Sequence, residues 1–309
     1  MAEMRFIHLQ KELFSLFEKE NMEEALSLIH TIKTAFPERL DKIYFWEACA
    51  LSVQGKKEEA VAALQTGLEK GIWWNPYILK ADPDLKNLQT YEGFKKAVEM
   101  CEEIFNKVKK RTAAELVVFG NKDSEFGLFS MHARGTNVKD FAPYWLQENE
   151  EDTYLFGFPQ SSQVFGYNAY CWDDQDTTRK EIEHAYKEFQ GISHTKSNII
   201  AGASQGGQLA IELSLGKTLP GIKGFLAVMP AIKDVAALEI LLEENTSSEM
   251  KGCIIIGNQD PFFKNTLELM ELFKTKRIDS KLIVIEGLGH FFSQNFSQLL
   301  SEAVEYIVQ

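Results

Sequence analysis

A serine set among glycines, a carboxylate beside a proline and a histidine in a glycine-rich segment are the residues whose types and spacing promise chemistry. Ser204 stands in Gly202-Ala203-Ser204-Gln205-Gly206-Gly207. The G-x-S-x-G spacing suits a nucleophile on a sharp turn, where the residues two before and two after must be small enough to avoid collision. Downstream lie Asn258-Gln259-Asp260-Pro261 and Gly287-Leu288-Gly289-His290, and His290 is the only histidine after Asp260. A hydroxyl, an imidazole and a carboxylate are the groups that nucleophilic acyl transfer needs: attacker, base, and a partner that orients the base. Each has a plainer reading as well. Ser204 could open a helix, Asp-Pro is a common turn pair, and a loop histidine can simply be hydrogen-bonded.

The elements around these residues favour the chemical reading. The apolar run Asn198-Ile199-Ile200-Ala201 leads into Ser204 as a strand, and Gln208 to Leu213 leads out as a helix. Lys251 to Gly257 reads as a buried strand that ends just before Asp260. A helical pattern runs from Phe263 to Lys276, and Lys281 to Glu286 reads as a strand that ends before His290. Further strands are predicted at Glu115–Phe119 and Phe126–Ser130. In a parallel sheet the loops after the C-terminal strand ends gather along one edge, where ligands bind. The helix after Ser204 aims its first N–H groups at the turn, so the Gln205 backbone N–H is a candidate donor to an oxyanion.

From about residue 113 to 309 the chain resembles an α/β-hydrolase, and within that superfamily the phospholipase/carboxylesterase group that includes acyl-protein thioesterases. The resemblance is carried by the Ser204 segment with its following Gln and second Gly, and by the order Ser, Asp, His. It is also carried by Met131-His132-Ala133-Arg134-Gly135 at the place of a His-Gly-x-Gly loop, and by Pro159-Gln160-Ser161-Ser162 followed by Cys171-Trp172-Asp173-Asp174 at the place of a Pro-rich loop and a Trp-Asp element. The resemblance implies a triad of Ser204, Asp260 and His290 and a second oxyanion donor in the Arg134 backbone N–H. Ala133 departs from the group's glycine, which bears on the shape of that loop. The Arg134 side chain reads as an exposed loop arginine, with contact to an anionic substrate as the other possibility. The stretch from Asp140 to Asp174 reads as a long aromatic loop, some of whose rings (Phe141, Tyr144, Trp145, Phe158, Phe165, Tyr167, Tyr170 and Trp172) wall an apolar pocket.

Composition narrows the field. A formal net charge of −12 argues against a nucleic-acid binder and against docking on anionic lipid. The four cysteines form no C-x-x-C pair and suit a reducing compartment, and no signal core or apolar span is visible. A cytoplasmic protein without membrane insertion is the expectation. No H-E-x-x-H, P-loop or G-x-G-x-x-G after a strand is present, so no cofactor or metal is expected.

The first third of the chain has a different texture. From Phe6 to about Lys110 the apolar spacing is helical, and Met22-Glu23-Glu24-Ala25 and Lys57-Glu58-Glu59-Ala60 stand about one tetratricopeptide period (~34 residues) apart. The array resembles two such repeats, a degenerate third unit around Pro76 and Pro83, and a capping helix. Trp73-Trp74 is expected to anchor this region on the rest of the chain, and Lys107-Val108-Lys109-Lys110-Arg111 to close a helix with favourable cations. The expected organisation is a helical tetratricopeptide-like domain over 1–111 and a catalytic α/β-hydrolase domain over 112–309, with a mostly parallel sheet flanked by helices. Three functions stay open: a serine hydrolase of carboxylic esters or thioesters acting on a small or acylated substrate, a peptidase similar to the prolyl-oligopeptidase kind, or a degenerate hydrolase whose helical repeats bind a protein partner.

Overall fold

The computed structural model describes residues 2–147, 150–244 and 250–309. The chain divides into two compact units, Met1–Arg111 and Thr112–Gln309.

The first unit is helical. It contains α1 (Ala2–Glu18), α2 (Met22–Ala35), α3 (Leu40–Val53), α4 (Lys57–Glu69), the short α5 (Pro76–Ala81) and α6 (Glu92–Lys109). Local chemistry sets the boundaries. The Asn21 side chain accepts from the Glu24 N–H at the start of α2, and Asn75 caps α5 ahead of Pro76. Lys107 and Lys109 occupy the last turn of α6, as expected of the basic run. Ala25, Ala48, Ala50 and Ala60 are fully buried, which lets neighbouring helices approach closely. Long helices alternate regularly only as far as α4. Beyond it, Pro76 and Pro83 divide the chain into α5 and a 3₁₀ turn at Pro83–Leu88. Trp73 and Trp74, expected as an anchor on the rest of the chain, find partners within this unit. Trp73 meets the Phe105 ring edge-on at 6.0 Å, and Trp74 Nε1 donates to the Asp41 carbonyl at 2.8 Å.

The second unit is a mostly parallel sheet covered by helices. Its elements are β1 (Glu115–Gly120), β2 (Phe126–Met131), α7 (Val138–Phe141), α8 (Glu150–Thr153), β3 (Tyr154–Gln160), β4 (Val164–Gly166), β5 (Ala169–Tyr170), α9 (Gln175–Ile192), β6 (Ser197–Ala203), α10 (Gln205–Leu215), β7 (Ile222–Val228), α11 (Val235–Glu244), β8 (Lys251–Gly257), α12 (Phe263–Thr275), β9 (Ser280–Ile285) and α13 (Phe296–Val308). The seven-stranded sheet has the order β1-β3-β2-β6-β7-β8-β9, and β4 and β5 form a separate small ribbon. Among the described strands of the seven-stranded sheet only β1 runs antiparallel, against β3.

Successive strand residues face opposite layers. Leu128, Ile199, Leu226 and Ile255 pack with Phe296 and Leu300 of α13. Their neighbours Phe129 and Ile200 pack on Tyr186 and Phe189 of α9, and Phe225 and Ile254 on Leu269 and Phe273 of α12. Burial on both faces explains the unbroken apolar runs in these strands.

The stretch 140–174 departs from the expected loop. Apart from 148–149, which lie outside the described residues, it holds β3, inserted between β1 and β2. Pro159 and Gln160, read as part of a loop, belong to this strand. Pro159 lies past Gly157, the last residue paired with β2, so its missing N–H costs no bond on that side. Among the described residues no helix is long and apolar enough to cross a membrane.

Candidate functional site

The sheet order reverses between β2 and β6. Outward from β6 the strands follow chain order, whereas β3 lies on the far side of β2. A reversal of this kind leaves a crevice at the C-terminal strand ends, where open α/β sheets bind ligands. Ser204 follows β6 directly and His132 follows β2 directly.

Ser204 is the residue between β6 and α10 and has φ 55° and ψ −116°, a left-handed backbone that costs a side-chain-bearing residue about 1–3 kcal/mol. The flanking bonds hold it there: its N–H donates to the Val228 carbonyl and its own carbonyl accepts from Ala231, both at 3.0 Å. The flanking glycines are explained by space. A Cβ on Gly202 would lie 2.2 Å from the Gly206 carbonyl oxygen, and one on Gly206 would lie 2.2 Å from that of Met131. The start of α10 therefore presses on the end of β2. Gln205 is the first residue of α10, so its N–H has no partner in the helix ladder.

Asp260 and His290 come from the turns after β8 and β9, and those turns are stitched together. Asn258 N–H donates to Ile285, Gln259 N–H to Leu288, and Gly287 N–H to the Asn258 side chain. A Cβ on Gly257 would lie 1.9 Å from the Leu288 carbonyl oxygen, so the two turns touch. The result is a continuous line. His290 Nδ1 lies 2.6 Å from Asp260 Oδ2, and His290 Nε2 lies 2.9 Å from Ser204 Oγ. The Asp260 side chain is fully buried and also accepts from the Phe262 N–H at 2.8 Å. Phe262 sets its ring against His290 at 5.5 Å. A proton on Nδ1, donated to Asp260, leaves Nε2 to accept from the serine hydroxyl.

The loop after β2 is held as firmly. His132 is completely buried. Its Nδ1 lies 2.8 Å from the Ala133 carbonyl, and its Nε2 accepts from the Ser161 N–H at 3.3 Å. Burial pushes its pKa down to about 4. The Trp172 ring lies tilted against it at 4.7 Å and donates Nε1–H to its carbonyl at 3.0 Å. Ala133 is not among the residues of positive φ, whereas Gly135 is, so the conformational freedom of glycine is needed at 135 and not at 133. The Gly135 N–H donates to Tyr170 of β5.

The Arg134 side chain is exposed, as the sequence suggested, and it is also held in place. Its Nε and Nη2 grip Asp173 at 2.9 and 2.7 Å, and its guanidinium lies 4.4 Å over the Phe165 ring. Hydrogen bonds from Arg134 hold the Asp173 carboxyl down at about 2. Gln205 joins the same group, donating to Asp173 at 2.8 Å and accepting from the Trp172 N–H at 3.0 Å. These partners are 39 and 32 residues apart, and only the Trp-Asp element pointed to them in the sequence. Of the eight rings among which some were expected to wall a pocket, Trp145 and Phe158 are fully buried, and Phe141 and Trp172 nearly so.

Among the described residues one group could hold a metal by proximity, namely Cys49, Asp82 and Asp84 in the helical unit, with ligand atoms within 4.8 Å of one another. There Asp82 already accepts from the Asp84 N–H to cap a 3₁₀ turn, and burial drives the Cys49 thiol well up, against metal binding as a thiolate.

Residues 5–109 match the family model described as the A/B hydrolase-like, N-terminal domain. An uncharacterized protein from Bacillus cereus ATCC 10987 is 28% identical, with a TM-score of 0.53 over 97% of this chain and 98% of that one. Acyl-protein thioesterase 2 of Zea mays is similar in fold at 12% identity, with a TM-score of 0.51 over 64% of this chain and all of that one. The chain has the α/β-hydrolase fold. The likeness to the Bacillus protein runs through the helical unit as well as the sheet. No curated protein matches it.

Proposed function

We propose that the chain is a serine hydrolase that cleaves a carboxylic ester or thioester through an acyl-enzyme on Ser204. The observation that carries this reading is the unbroken line of hydrogen bonds from the Ser204 hydroxyl through His290 to the buried Asp260 carboxylate. As Ser204 Oγ bonds to the acyl carbon, His290 Nε2 takes the serine proton and the carbonyl π pair moves onto oxygen. The resulting oxyanion is received by the backbone N–H groups of Gln205 and Arg134. Asp260 keeps the imidazole in its useful tautomer and stabilises the cation. Collapse breaks the bond to the leaving alcohol or thiol, which departs with the proton from Nε2. Water then repeats the sequence on the acyl-enzyme, releasing the acid and restoring Ser204.

The strained turn at Ser204 supports the same reading, because backbone strain of this kind persists where the surrounding structure enforces it. The name of the maize protein, acyl-protein thioesterase, is the reason to include thioesters among the substrates tried. The test is turnover of short-chain nitrophenyl esters and acyl thioesters. Wild-type protein is expected to hydrolyse members of this panel, and Ser204→Ala to lose ~10⁴-fold or more in kcat. Equal turnover by the two proteins would place the activity elsewhere.

A further inference from the structure

One carboxylate links the two residues whose backbone N–H groups would receive the oxyanion. Asp173 Oδ1 accepts from Arg134 Nε at 2.9 Å and from Gln205 Nε2 at 2.8 Å, while its Oδ2 accepts from Arg134 Nη2 at 2.7 Å. Arg134 belongs to the loop after β2, and Gln205 opens the helix after β6. The two halves of the oxyanion pocket thus come from different strands, and Asp173 ties their side chains to a single group. The Gln205 carboxamide also accepts from the Trp172 N–H, and the Trp172 indole donates to the His132 carbonyl, so the 172–173 segment bridges both halves a second time. The backbones are already in contact where the Gly206 position abuts Met131. At such spacing a shift of about 1 Å in either donor is felt in the rate, at a cost of ~10²-fold.

We propose that Asp173 is a positioning residue for the oxyanion pocket, setting the separation of the Arg134 and Gln205 backbone N–H groups. The inference rests on the hydrolase reading above. Asp173 bonds neither to Ser204 nor to His290 among the contacts described, so it acts through the two residues it holds. The Arg134 charge is already matched by Asp173 and its face by Phe165, so binding of a substrate carboxylate is not needed to explain that arginine. An asparagine at 173 keeps the shape but offers one acceptor oxygen, for which Arg134 and Gln205 then compete.

The test compares wild type with Asp173→Asn in the full chain, using an activated ester and a fluorophosphonate. The expected result is a ~10–100-fold fall in kcat and in the rate of phosphonylation, with KM within ~3-fold of wild type. The fluorophosphonate should still reach full labelling at the end point, which reports a folded site. The apparent pKa of the pH–rate profile should not move, because Asp173 does not touch His290. Asp123→Asn removes a carboxylate from an exposed pair with His194 and should leave the rate unchanged. Arg134→Gln cuts the same tether from the other end and carries the test should Asp173→Asn fail to fold. The double variant should be no slower than the slower single one. A reactive wild type beside an equally fast Asp173→Asn overturns the positioning role alone, as does a shift of the pH profile. A folded wild type inert to both reagents overturns the hydrolase reading and this proposal with it.

Discussion

At the scale of the residue, the α/β unit stores cost where its chemistry is proposed. Ser204 keeps a left-handed backbone, and His132 is a buried imidazole with no carboxylate partner among the described residues. The second cost depends on pH. His132 titrates near 6.5 when unfolded and is held at about 4 by burial. Between those values the unfolded chain binds a proton that the folded chain refuses. The stability is therefore fully present above pH 6.5 and is lost as pH falls toward 4, by at most about 3 kcal/mol. The urea midpoint of wild type should fall more steeply between pH 7 and pH 4.5 than that of His132→Asn. Parallel slopes would mean that this histidine does not carry the acid sensitivity.

At the scale of the element, β3 shows how far the sequence could be read. Ser204, Asp260 and His290 were legible because each follows a continuous apolar strand, and that pattern depends only on local composition. β3 was not legible, since Gly157 and Pro159 break its run and read as loop residues. Gly157 is there because Phe189 of α9 sits on it: an added Cβ would lie 2.5 Å from the buried ring. Such a contact between residues 32 positions apart leaves no local signal, whereas the grip of Arg134 and Gln205 on Asp173 left only the Trp-Asp element as a trace. Gly157→Ala should lower stability by about 1–3 kcal/mol, because Phe189 has no room to withdraw. Pairing it with Phe189→Leu should recover part of the loss. Chemical denaturation of the two variants measures the coupling, and strictly additive losses would mean that the ring is not what requires a glycine.

At the scale of the whole molecule, two units with separate textures are joined in one chain. The helical unit centres on Phe6, Ile29, Phe36 and Trp46, and the clusters described in the α/β unit draw on its own strands and helices. The change of texture near Lys110 was visible in the sequence, because helical periodicity gives way there to β-branched runs. The work assigned to the molecule falls on one serine of the second unit. The most direct measurement is the mass and location of the adduct after treatment of the full chain with a fluorophosphonate. A single adduct on Ser204 is predicted, absent in Ser204→Ala and formed ~10³–10⁴-fold more slowly in Asp260→Asn and His290→Ala. A folded chain that takes no adduct, or takes it on another residue, would contradict the account.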